Sequence, residues 1–289
     1  MKILITGGAG YLGAVLVPLL LDDTDDNEVT VLDSFAHGVP SLLGVAHHPR
    51  LRIVRGDVRD SALVAELAKS ADAVVALAAV VGQRAAAANK IGAFAVNAEA
   101  IKSLVEMLSP DQRLIYPCTN SGYGMAGEAE CTEESPLNPT SEYGLSKVLG
   151  EQYALAHPRA ISLRFATLFG TSPRMRLDLL VNDFVYRAVH REEVLLFEGE
   201  FRRNFLHVRD AATAILVILW AKPTWTGQYV FNVGDSRANM SKLTLCETIL
   251  RHIPGFRCSE NINAGTDQDR RDYVVSNAKF ERATEWYPR

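Results

Sequence analysis

The sequence predicts an α/β protein built on a doubly wound parallel sheet, and three observations support this prediction. Apolar segments rich in β-branched residues alternate with amphipathic segments of helical period through the first 165 residues. The first strand candidate runs directly into a glycine-rich turn and an apolar helix start. The chain has 289 residues and is 48% hydrophobic, which is enough to bury one large core.

The order of the elements follows from this alternation. The strand candidates lie at residues 2–6, 28–32, 51–55, 72–77, 112–117 and 160–165. The helix candidates between them are 11–22, 60–69, 91–108 and 141–157. After residue 168 the alternation loosens, and the candidates are helices at 177–190 and 241–253 with short strands at 194–197 and 229–232. We expect a sheet domain over 1–167 and a smaller lobe mainly over 168–289, partly interwoven with the first because no flexible linker separates them.

Charge and composition exclude several classes of protein. The net charge is −4 and no cluster of basic residues occurs, which argues against general nucleic-acid binding. No uninterrupted apolar stretch is long enough to span a membrane, and the N-terminus starts with a strand rather than with a charged leader and cleavage site. The four cysteines lack the spacing of a metal site, so we expect reduced thiols, a cytoplasmic location and no bound metal.

The turn after the first strand, in the segment KILITGGAGYLG, has the glycine spacing of a dinucleotide-binding motif. Gly7 permits the tight turn, Gly10 lets the backbone approach a pyrophosphate, and Gly13 allows the helix to pack closely. The diphosphate would lie at the helix N-terminus, where free N–H groups and the helix dipole favour anions. Asp33 ends the second strand twenty positions beyond Gly13, where a carboxylate accepts ribose hydroxyls and repels a 2′-phosphate, so the pattern favours NAD over NADP.

Tyr143 and Lys147, in the segment SEYGLSK, are four residues apart, which places them on one face of a helix. A positive charge near a phenol favours phenolate and moves the tyrosine pKa from its usual value of ~10 toward the operating pH. Such a pair can serve as a base in proton transfer. The spacing alone is also compatible with an ordinary helix that carries one aromatic residue and one solvated lysine.

Several other residues follow strands at the edge where a dinucleotide would bind. Asp57 and Val58 come just after the third strand, where a carboxylate can accept from the adenine amino group and a backbone N–H can bind the ring. Asp57 could instead cap a helix, but Asp60 is better placed for that role. Asn97, in an otherwise apolar helix, is an interior hydrogen-bonding group that contacts either the protein alone or also the cofactor. Small residues after the fourth strand let the backbone contact the cofactor: Leu77, Ala78 and Ala79.

These residues and motifs together resemble a known family. The segments TGGAGYLG, GDV, LAA, YPCTNSGYG and YGLSK, with Asp33, are similar in order and spacing to the extended short-chain dehydrogenase/reductases, specifically the nucleotide-sugar epimerases and dehydratases. The resemblance implies a Rossmann fold, NAD as cofactor and a nucleotide-diphosphate sugar as substrate. It makes Thr119 the catalytic threonine, Tyr143 the base and Lys147 the lysine that binds the nicotinamide ribose. Phe165 would line the nicotinamide pocket, and the NAD-binding set also includes Tyr11, Leu12 and Ser34.

The resemblance also assigns residues to the substrate. Arg203, in FRRNFLHVRD, matches the arginine that this family directs at the substrate diphosphate, where a planar guanidinium can bind two oxygens. Arg271 is a second phosphate ligand, ahead of Arg270, although a surface ion pair is the alternative for each arginine. Asn182 is similar to the family asparagine near the diphosphate and base pocket, and Phe197 belongs to the same substrate set.

The sequence departs from the family at the active site. Dehydratases of this type carry an Asp-Glu pair directly after the catalytic threonine, which protonates the C6 hydroxyl and abstracts the C5 proton. Asn120 and Ser121 stand there instead, and an amide and a hydroxyl cannot replace an acid and a base, so we expect them to contact the sugar without dehydrating it. Ala166 replaces an asparagine that many hexose epimerases use on the substrate, and Arg174 and Arg176 in SPRMR are further residues that could reach it.

The predicted activity is that of a nucleotide-sugar 4-epimerase acting through a transient 4-keto sugar. If the ketone leaves the site, the protein is a 4-dehydrogenase or 4-ketoreductase, and the segment SPRMRLDLLVNDF resembles a branch that acts on less common sugars, heptoses among them. A redox-sensing NAD-binding regulator without turnover is the alternative from another class. By resemblance we also expect a homodimer, with helices 91–108 and 141–157 of each subunit forming a four-helix interface.

Overall fold

The computed structural model describes residues 1–24, 26–221, 229–260 and 270–289 of the chain. The strands in these ranges are β1 (Lys2–Thr6), β2 (Glu28–Asp33), β3 (Leu51–Arg55), β4 (Ala73–Ala76), β5 (Arg113–Thr119), β6 (Met125–Cys131), β7 (Ala160–Phe165), β8 (Thr167–Phe169), β9 (Glu193–Leu196), β10 (Arg202–His207), β11 (Tyr229–Val233), β12 (Asn239–Ser241), β13 (Arg257–Glu260) and β14 (Asp272–Val275). The helices are α1 (Gly13–Asp23), α2 (Ser61–Ala68), α3 (Gln83–Ala88), α4 (Lys90–Phe94), α5 (Ala100–Met107), α6 (Glu142–Ala154), α7 (Leu180–Val189), α8 (Val208–Leu219), α9 (Lys242–His252) and α10 (Ala278–Thr284). A π-helical turn, Ala95–Glu99, joins α4 to α5, and 3₁₀ turns cover Leu43–Val45, Asn120–Tyr123 and Ser236–Ala238.

Seven parallel strands form the central sheet, in the order β11-β7-β5-β4-β1-β2-β3. Every neighbouring pair runs parallel, from β1 on β2, where Lys2 lies opposite Glu28, to β11 on β7, where Tyr229 lies opposite Ile161. The chain moves outward from β1 to β3 and restarts with β4 on the other side of β1, so the strand order reverses there. This topology confirms the predicted doubly wound α/β fold and places a crevice at the carboxyl ends of β1 and β4.

Helices cover both faces of the central sheet. On one face α1 packs with α8 in a core that includes Ile5 and Leu16. On the other face α2, α5 and α6 pack around Leu4 and Leu104. Because both faces are covered, the central strands are apolar throughout, as in β4, whose sequence AVVA is fully buried.

The second half of the chain contributes both to a set of small sheets and to the central sheet. Three small sheets have the orders β12-β10-β8, β13-β9 and β14-β6. A separate apolar cluster near α7 and α9 includes Phe184, Phe205 and Leu245. β11 instead returns to the edge of the central sheet beside β7. The division into domains at residue 167 stays a prediction.

Most predicted elements of the first 165 residues are found, with differences at their ends. α1 begins at Gly13 rather than at residue 11 because the glycine turn continues through Leu12. The single helix predicted at 91–108 is divided by the π-helical turn that contains Asn97. The sequence does not predict β6, because this strand, MAGEAEC, is mostly exposed and has no apolar alternation.

No helix among the described residues is long and apolar enough to cross a membrane. In the same part of the chain, no group of three or more histidine, cysteine or acidic side chains could hold a metal ion. The four cysteines are present as free thiols.

Candidate active site

The glycine turn between β1 and α1 is packed so closely that side chains do not fit. Gly7 has a φ of +73°, and a Cβ at this position would lie 2.6 Å from the backbone nitrogen of Ala78. A Cβ on Gly13 would lie 2.5 Å from the Gly8 carbonyl oxygen, so the first turn of α1 packs directly on the loop. Gly10 donates its N–H to the Gly7 carbonyl at 3.0 Å. Because these positions are glycines, no side chains cover the backbone N–H groups at the start of α1. This is the arrangement that binds a dinucleotide pyrophosphate.

Asp33, at the end of β2, holds this turn in place. Its Oδ2 accepts from the Ala9 N–H at 2.9 Å, and its Oδ1 accepts from the Phe35 N–H at 2.8 Å. Each carboxylate oxygen can accept a further hydrogen bond, so ribose hydroxyls can bind at the same group. Ser34, beside it, is exposed. The glycine turn and this carboxylate together fit NAD.

The backbone after β4 lies against the end of β1. Ala78 donates its N–H to Thr6 Oγ1 at 3.4 Å, and its neighbours Leu77 and Ala79 are half-buried. Phe165, at the end of β7, is buried. These residues therefore occupy the carboxyl ends of central strands, where the sequence places the cofactor.

Asp57 and Val58 follow β3, but the Asp57 carboxylate already has a partner. Arg59 Nη2 lies 2.6 Å from Asp57 Oδ2, and this hydrogen-bonded guanidinium lowers the pKa of the carboxyl group. Adenine binding by Asp57 and Val58 stays a prediction. Asp60 caps α2 as expected, since its Oδ1 accepts from the Leu63 N–H at 3.1 Å.

Asn97 is fully buried, and both polar atoms of its amide form hydrogen bonds within the protein. Its Oδ1 accepts from the Val80 N–H at 2.8 Å, and its Nδ2 donates to the Val80 carbonyl at 3.0 Å and to Ser146 Oγ at 2.9 Å. The amide therefore joins the loop after β4 to α6. A direct contact of Asn97 with the cofactor stays a prediction.

Thr119, Tyr143 and Lys147 lie where β5 ends and α6 begins. Ser141 caps α6, because its Oγ accepts from the Gly144 N–H at 3.1 Å, and this fixes Tyr143 in the first helical turn. A hydrogen bond joins the side chains of Thr119 and Tyr143. Lys147 lies one turn further along and is 3% exposed. The structure thus brings the three predicted catalytic residues to one place.

Tyr116 of β5, which the sequence does not single out, supports Lys147. The Lys147 ammonium lies 4.1 Å from the centroid of the Tyr116 ring. The Tyr116 hydroxyl lies 3.1 Å from the Lys147 carbonyl oxygen and 3.2 Å from that of Asn97, to which it can donate. Burial lowers the pKa of Lys147 from 10.5 to about 8. Nothing in the sequence distinguishes Tyr116 from an ordinary core residue of a buried strand.

The pKa of Tyr143 differs from the expectation drawn from its spacing to Lys147. Removal from water is the largest influence and raises the pKa of Tyr143 to about 12. The main lowering influences are the guanidinium groups of Arg176 and Arg271 and the hydrogen bond with Thr119. Lys147 is not among the main influences that lower this pKa, so the expectation drawn from its spacing is wrong for the protein alone, and the two arginines offset only part of the effect of burial.

Asn120 and Ser121 continue from Thr119 in a 3₁₀ turn. Thr119 Oγ1 accepts from the Ser121 N–H at 3.1 Å and donates to Ser121 Oγ at 3.0 Å. The Arg271 guanidinium also donates to Ser121 Oγ, although it lies 150 residues further along the chain. Asn120 is 1% exposed, and neither polar atom of its amide has a hydrogen-bond partner. Arg271 therefore reaches the end of β5, beside Thr119.

The other substrate candidates lie on or near β9 and β10. Arg203, on β10, is 4% exposed. Phe197, directly after β9, is half-buried. Arg270, the weaker candidate in the sequence, forms an ion pair with Glu198 at 2.9 Å and has a side chain that is 52% exposed. Arg270 is thus a surface ion-pair residue, whereas phosphate binding by Arg203 and Arg271 stays a prediction.

Asn182, on α7, joins the glycine turn to the loop after β8. Its Oδ1 accepts from the Gly170 N–H at 2.9 Å, and its Nδ2 donates to the Arg176 carbonyl at 2.9 Å and to the Tyr11 hydroxyl at 3.3 Å. The Tyr11 hydroxyl donates to the Gly170 carbonyl at 2.6 Å. Asn182 therefore positions the loop that carries Arg176, whose guanidinium lies 2.5 Å from Asp178. Contact of Asn182 with the substrate stays a prediction.

A buried ion pair behind α6 is the largest feature that the sequence did not predict. Arg164 Nη2 lies 2.9 Å from Glu151 Oε2, and the two side chains are 8% and 3% exposed. Ser162 Oγ also donates to Glu151 Oε1 at 2.5 Å, and Arg164 Nη1 donates to the Tyr123 hydroxyl at 3.1 Å. The pair ties α6 to β7. The sequence indicates only that Glu151 lies on the same helical face as Lys147, which is four residues earlier, and it gives no sign of the pairing with Arg164.

The chain is similar to several known proteins in sequence and in structure. The model of the NAD dependent epimerase/dehydratase family matches residues 3–234. A dTDP-glucose 4,6-dehydratase of Streptomyces niveus is 31% identical over 277 residues, which cover 88% of this chain and 81% of that protein. YtcB of Bacillus subtilis, described as an uncharacterized UDP-glucose epimerase, is 28% identical over 273 residues, covering 90% of this chain and 84% of its own length. The crystal structure of the dTDP-glucose 4,6-dehydratase of Bacillus anthracis in complex with NAD has a TM-score of 0.85 and 25% identity, and the match covers 100% of this chain and 92% of that one.

Proposed function

Because the chain belongs to the NAD dependent epimerase/dehydratase family, we propose that it is a nucleotide-sugar 4-epimerase that acts through a transient 4-keto sugar. The observation that supports this choice is the hydrogen-bonded pair of Thr119 and Tyr143, followed directly by the neutral side chains of Asn120 and Ser121. Such a set can remove and return a proton at one hydroxyl. It offers no carboxyl group for the elimination of water.

The cofactor of the family is NAD, and the residues present fit it. Gly7, Gly10 and Gly13 would hold the pyrophosphate, because the turn has no space for side chains. Asp33 would bind the adenosine ribose and Lys147 the nicotinamide ribose. When bound, NAD⁺ supplies the hydride acceptor for C4 of the sugar.

Proton transfer is assigned to the side chains at the end of β5 and the start of α6. Tyr143 removes the proton of the C4 hydroxyl, and Thr119 hydrogen-bonds the same oxygen as it becomes a carbonyl. Arg176 and Arg271 favour the phenolate, because they lower the pKa of Tyr143 that burial raises. If the ketone turns over inside the pocket, bound cofactor would present its hydride to the other face, and Tyr143 would give the proton back to the C4 oxygen of the epimer.

The dehydratases among the relatives make 4,6-dehydration the main competing activity. That reaction needs an acid at the C6 hydroxyl and a base at the C5 proton, and Asn120 and Ser121 occupy those two positions. Neither an amide nor a hydroxyl has a suitable pKa for these roles. A 4-dehydrogenase or 4-ketoreductase, in contrast, would use the same catalytic residues and differ only in releasing the ketone.

The proposed substrate class follows from the residues that are candidates for binding a nucleotide sugar. Arg203 and Arg271 are proposed to bind the diphosphate, since a guanidinium can pair with two phosphate oxygens at once. The names of the relatives make dTDP- and UDP-linked glucose the first sugars to examine. NDP-heptoses come next, because of the segment SPRMRLDLLVNDF.

An NMR assay separates these activities. Purified protein carrying one equivalent of NAD⁺ is incubated with each nucleotide sugar, and we expect inversion at C4 in the ¹H spectrum. Accumulation of NADH and a released ketone when excess NAD⁺ is added would identify a dehydrogenase. Binding of NAD with no turnover of any nucleotide sugar would favour the redox sensor.

We also propose a homodimer formed through α4, α5 and α6. Two apolar side chains on these helices are exposed: Ile91 on α4 by 86% and Leu145 on α6 by 43%. Leu145→Glu is expected to convert the dimer to a monomer in size-exclusion chromatography with light scattering, because a charge at the interface opposes association. Leu43→Glu, at a side chain that is 72% exposed on a 3₁₀ turn, is the matched control. A monomeric parent protein would contradict the proposal.

A further inference from the structure

Two cysteine thiols are in contact in the second half of the chain. Cys246 lies on α9 and Cys258 on β13, and their Sγ atoms are 2.8 Å apart. Both are free thiols in the structure. The sulfur atoms of a disulfide lie about 2.05 Å apart, so a small approach of the two side chains is enough to form the bond.

The turn between α9 and β13 brings the two thiols together. α9 ends at His252, and Gly255, with a φ of +92°, lies in the turn that leads into β13. Cys246 is 5% exposed and belongs to the apolar cluster near α7 and α9, whereas Cys258 is half-buried. The fold therefore holds both thiols in place, and Cys258 is the one that a reagent in solution can reach.

The two elements that carry the thiols also support one loop, the segment between β9 and β10. Glu260 Oε1, on β13, accepts from the Gly199 N–H at 3.0 Å. Lys242 Nζ, at the start of α9, donates to the Phe197 carbonyl at 2.8 Å. A covalent bond between α9 and β13 would therefore join the two supports of this loop.

We propose that Cys246 and Cys258 form a site of reversible disulfide formation, oxidised by a small disulfide of the glutathione type. The Cys258 thiolate attacks one sulfur of the small disulfide and breaks its S–S bond, and the released thiol takes up the proton that Cys258 lost. The Cys246 thiolate then attacks Cys258 Sγ and releases the second small thiol, which takes up the proton of Cys246. The protein loses two protons and two electrons, and the small disulfide gains them.

The surroundings of the pair favour slow exchange with disulfides over fast reaction with peroxide. Burial raises the pKa of the Cys258 thiol, and the carboxylates of Glu193 and Glu260 raise it further. Burial also raises the pKa of Cys246. Because the thiolate is the attacking species, little of it is present at neutral pH and the bond forms slowly there.

Peptide mass spectrometry of the folded, NAD⁺-loaded protein tests the proposal. The protein is incubated with oxidised glutathione at a pH of about 8.5, where more of each thiol is ionised. We expect a cross-linked peptide pair containing Cys246 and Cys258, a protein mass lower by two hydrogen atoms and no retained glutathione. Dithiothreitol should restore both thiols.

Thermal melting measures the consequence of the bond for the folded protein. The oxidised protein should melt about 5 °C above the reduced protein, because the bond closes a short loop and restricts the unfolded chain. Reduction should return the melting temperature to its starting value.

Two variants separate the roles of the thiols. Cys246→Ala lacks the thiol that completes the exchange, so its Cys258 should retain one glutathione and its melting temperature should not rise. Cys131→Ala, at a buried thiol on β6, is the matched control. It should form the same cross-link as the parent protein, with the same rise in melting temperature.

Three results would overturn the inference. Two unmodified thiols, or a stable glutathione adduct on Cys258 of the parent protein, would show that the pair does not complete the exchange. A cross-link that forms only after unfolding in urea would show that the fold does not bring the thiols together. A melting temperature that stays constant or falls on oxidation would show that the bond does not fit the folded protein.

Discussion

The cofactor side of the site, around Gly7 and Asp33, and the proposed sugar side, around Ser121 and Arg271, are built in different ways. On the cofactor side, Gly7, Gly10 and Gly13 lie within one turn, and Asp33 closes that turn from the next strand through the Ala9 N–H. On the sugar side, groups from distant segments meet, as Arg271 and Ser121 do across 150 residues. The cofactor side is therefore determined largely by backbone conformation over short spacings. The sugar side depends on the tertiary fold.

The largest effect is expected from Tyr143, where the two sides meet. Tyr143→Phe should lower the rate of C4 oxidation by about 10³-fold, because it removes the group assigned to take the proton. NAD binding should persist. Stopped-flow absorbance at 340 nm measures the reduction of bound NAD⁺ directly. Tyr153→Phe, on the same helix with its ring 5.8 Å from the Lys102 ammonium, is the control and should react normally. Full activity in Tyr143→Phe would exclude the proposed base.

On the cofactor side, a single methyl group should be enough to disrupt binding. Gly13→Ala is expected to weaken NAD binding by about 100-fold and to lower the melting temperature, because its Cβ would lie 2.5 Å from the Gly8 carbonyl oxygen. Gly44→Ala should do neither, since a Cβ there has no neighbouring atom within 4 Å. Calorimetry with NAD⁺ measures the difference. Normal NAD binding by Gly13→Ala would show that the backbone does not define this side.

On the sugar side, loss of one charged group should affect the substrate and not the cofactor. Arg203→Gln is expected to raise KM for the nucleotide sugar by about 30-fold, since it removes a charge-assisted hydrogen bond to phosphate. NAD affinity should not change. Arg270→Gln is the control, because Arg270 is paired with Glu198 at the surface. If the two variants had the same KM, Arg203 would not be a phosphate ligand.

The smallest predicted effect is a dependence of stability on pH that originates at Lys147. Its pKa is about 8 in the folded protein and 10.5 ordinarily, so the unfolded chain binds more protons between these values. The free energy of unfolding therefore gains a contribution as pH rises from 8 to 10.5, and this gain is absent below pH 8. Relative to Lys147→Met, the parent protein should gain on the order of 3 kcal/mol over this window. Urea unfolding of both proteins at several pH values measures this difference in the free energy of unfolding. A difference that does not change with pH would contradict the lowered pKa of the buried Lys147 ammonium.

The sequence predicts the fold and the cofactor well for a physical reason. The alternation of buried strands with amphipathic helices is a local pattern, and so are the glycine spacing and the Tyr143–Lys147 pair. The structure confirms the doubly wound sheet, and the family match confirms NAD as the cofactor. A local pattern still does not predict contacts between distant segments. The Lys147 ammonium lies over the ring of Tyr116, but in the sequence Tyr116 looks like any core tyrosine.

The sugar side is less predictable because its contacts join segments that are far apart. Spacing to Lys147 suggested the wrong source of charge for Tyr143, since Arg176 and Arg271 have the larger lowering effect on its pKa. Substrate contact of Asn182 stays a prediction, and the sequence gives no sign that its amide joins Tyr11 to the loop after β8. Side-chain identity gives the chemistry of such residues, and only the fold gives their neighbours.

The fate of hydrogen at C4 and C5 tests the central claim most directly. A nucleotide sugar that carries deuterium at C4 is incubated in D₂O with protein carrying one equivalent of NAD⁺, and the product is followed by ¹H NMR. Epimerisation predicts an inverted C4 that keeps its deuterium, a C5 proton that does not exchange and an intact C6 hydroxyl. A product with solvent deuterium at C5 and a methyl group at C6 would show dehydration and contradict the account.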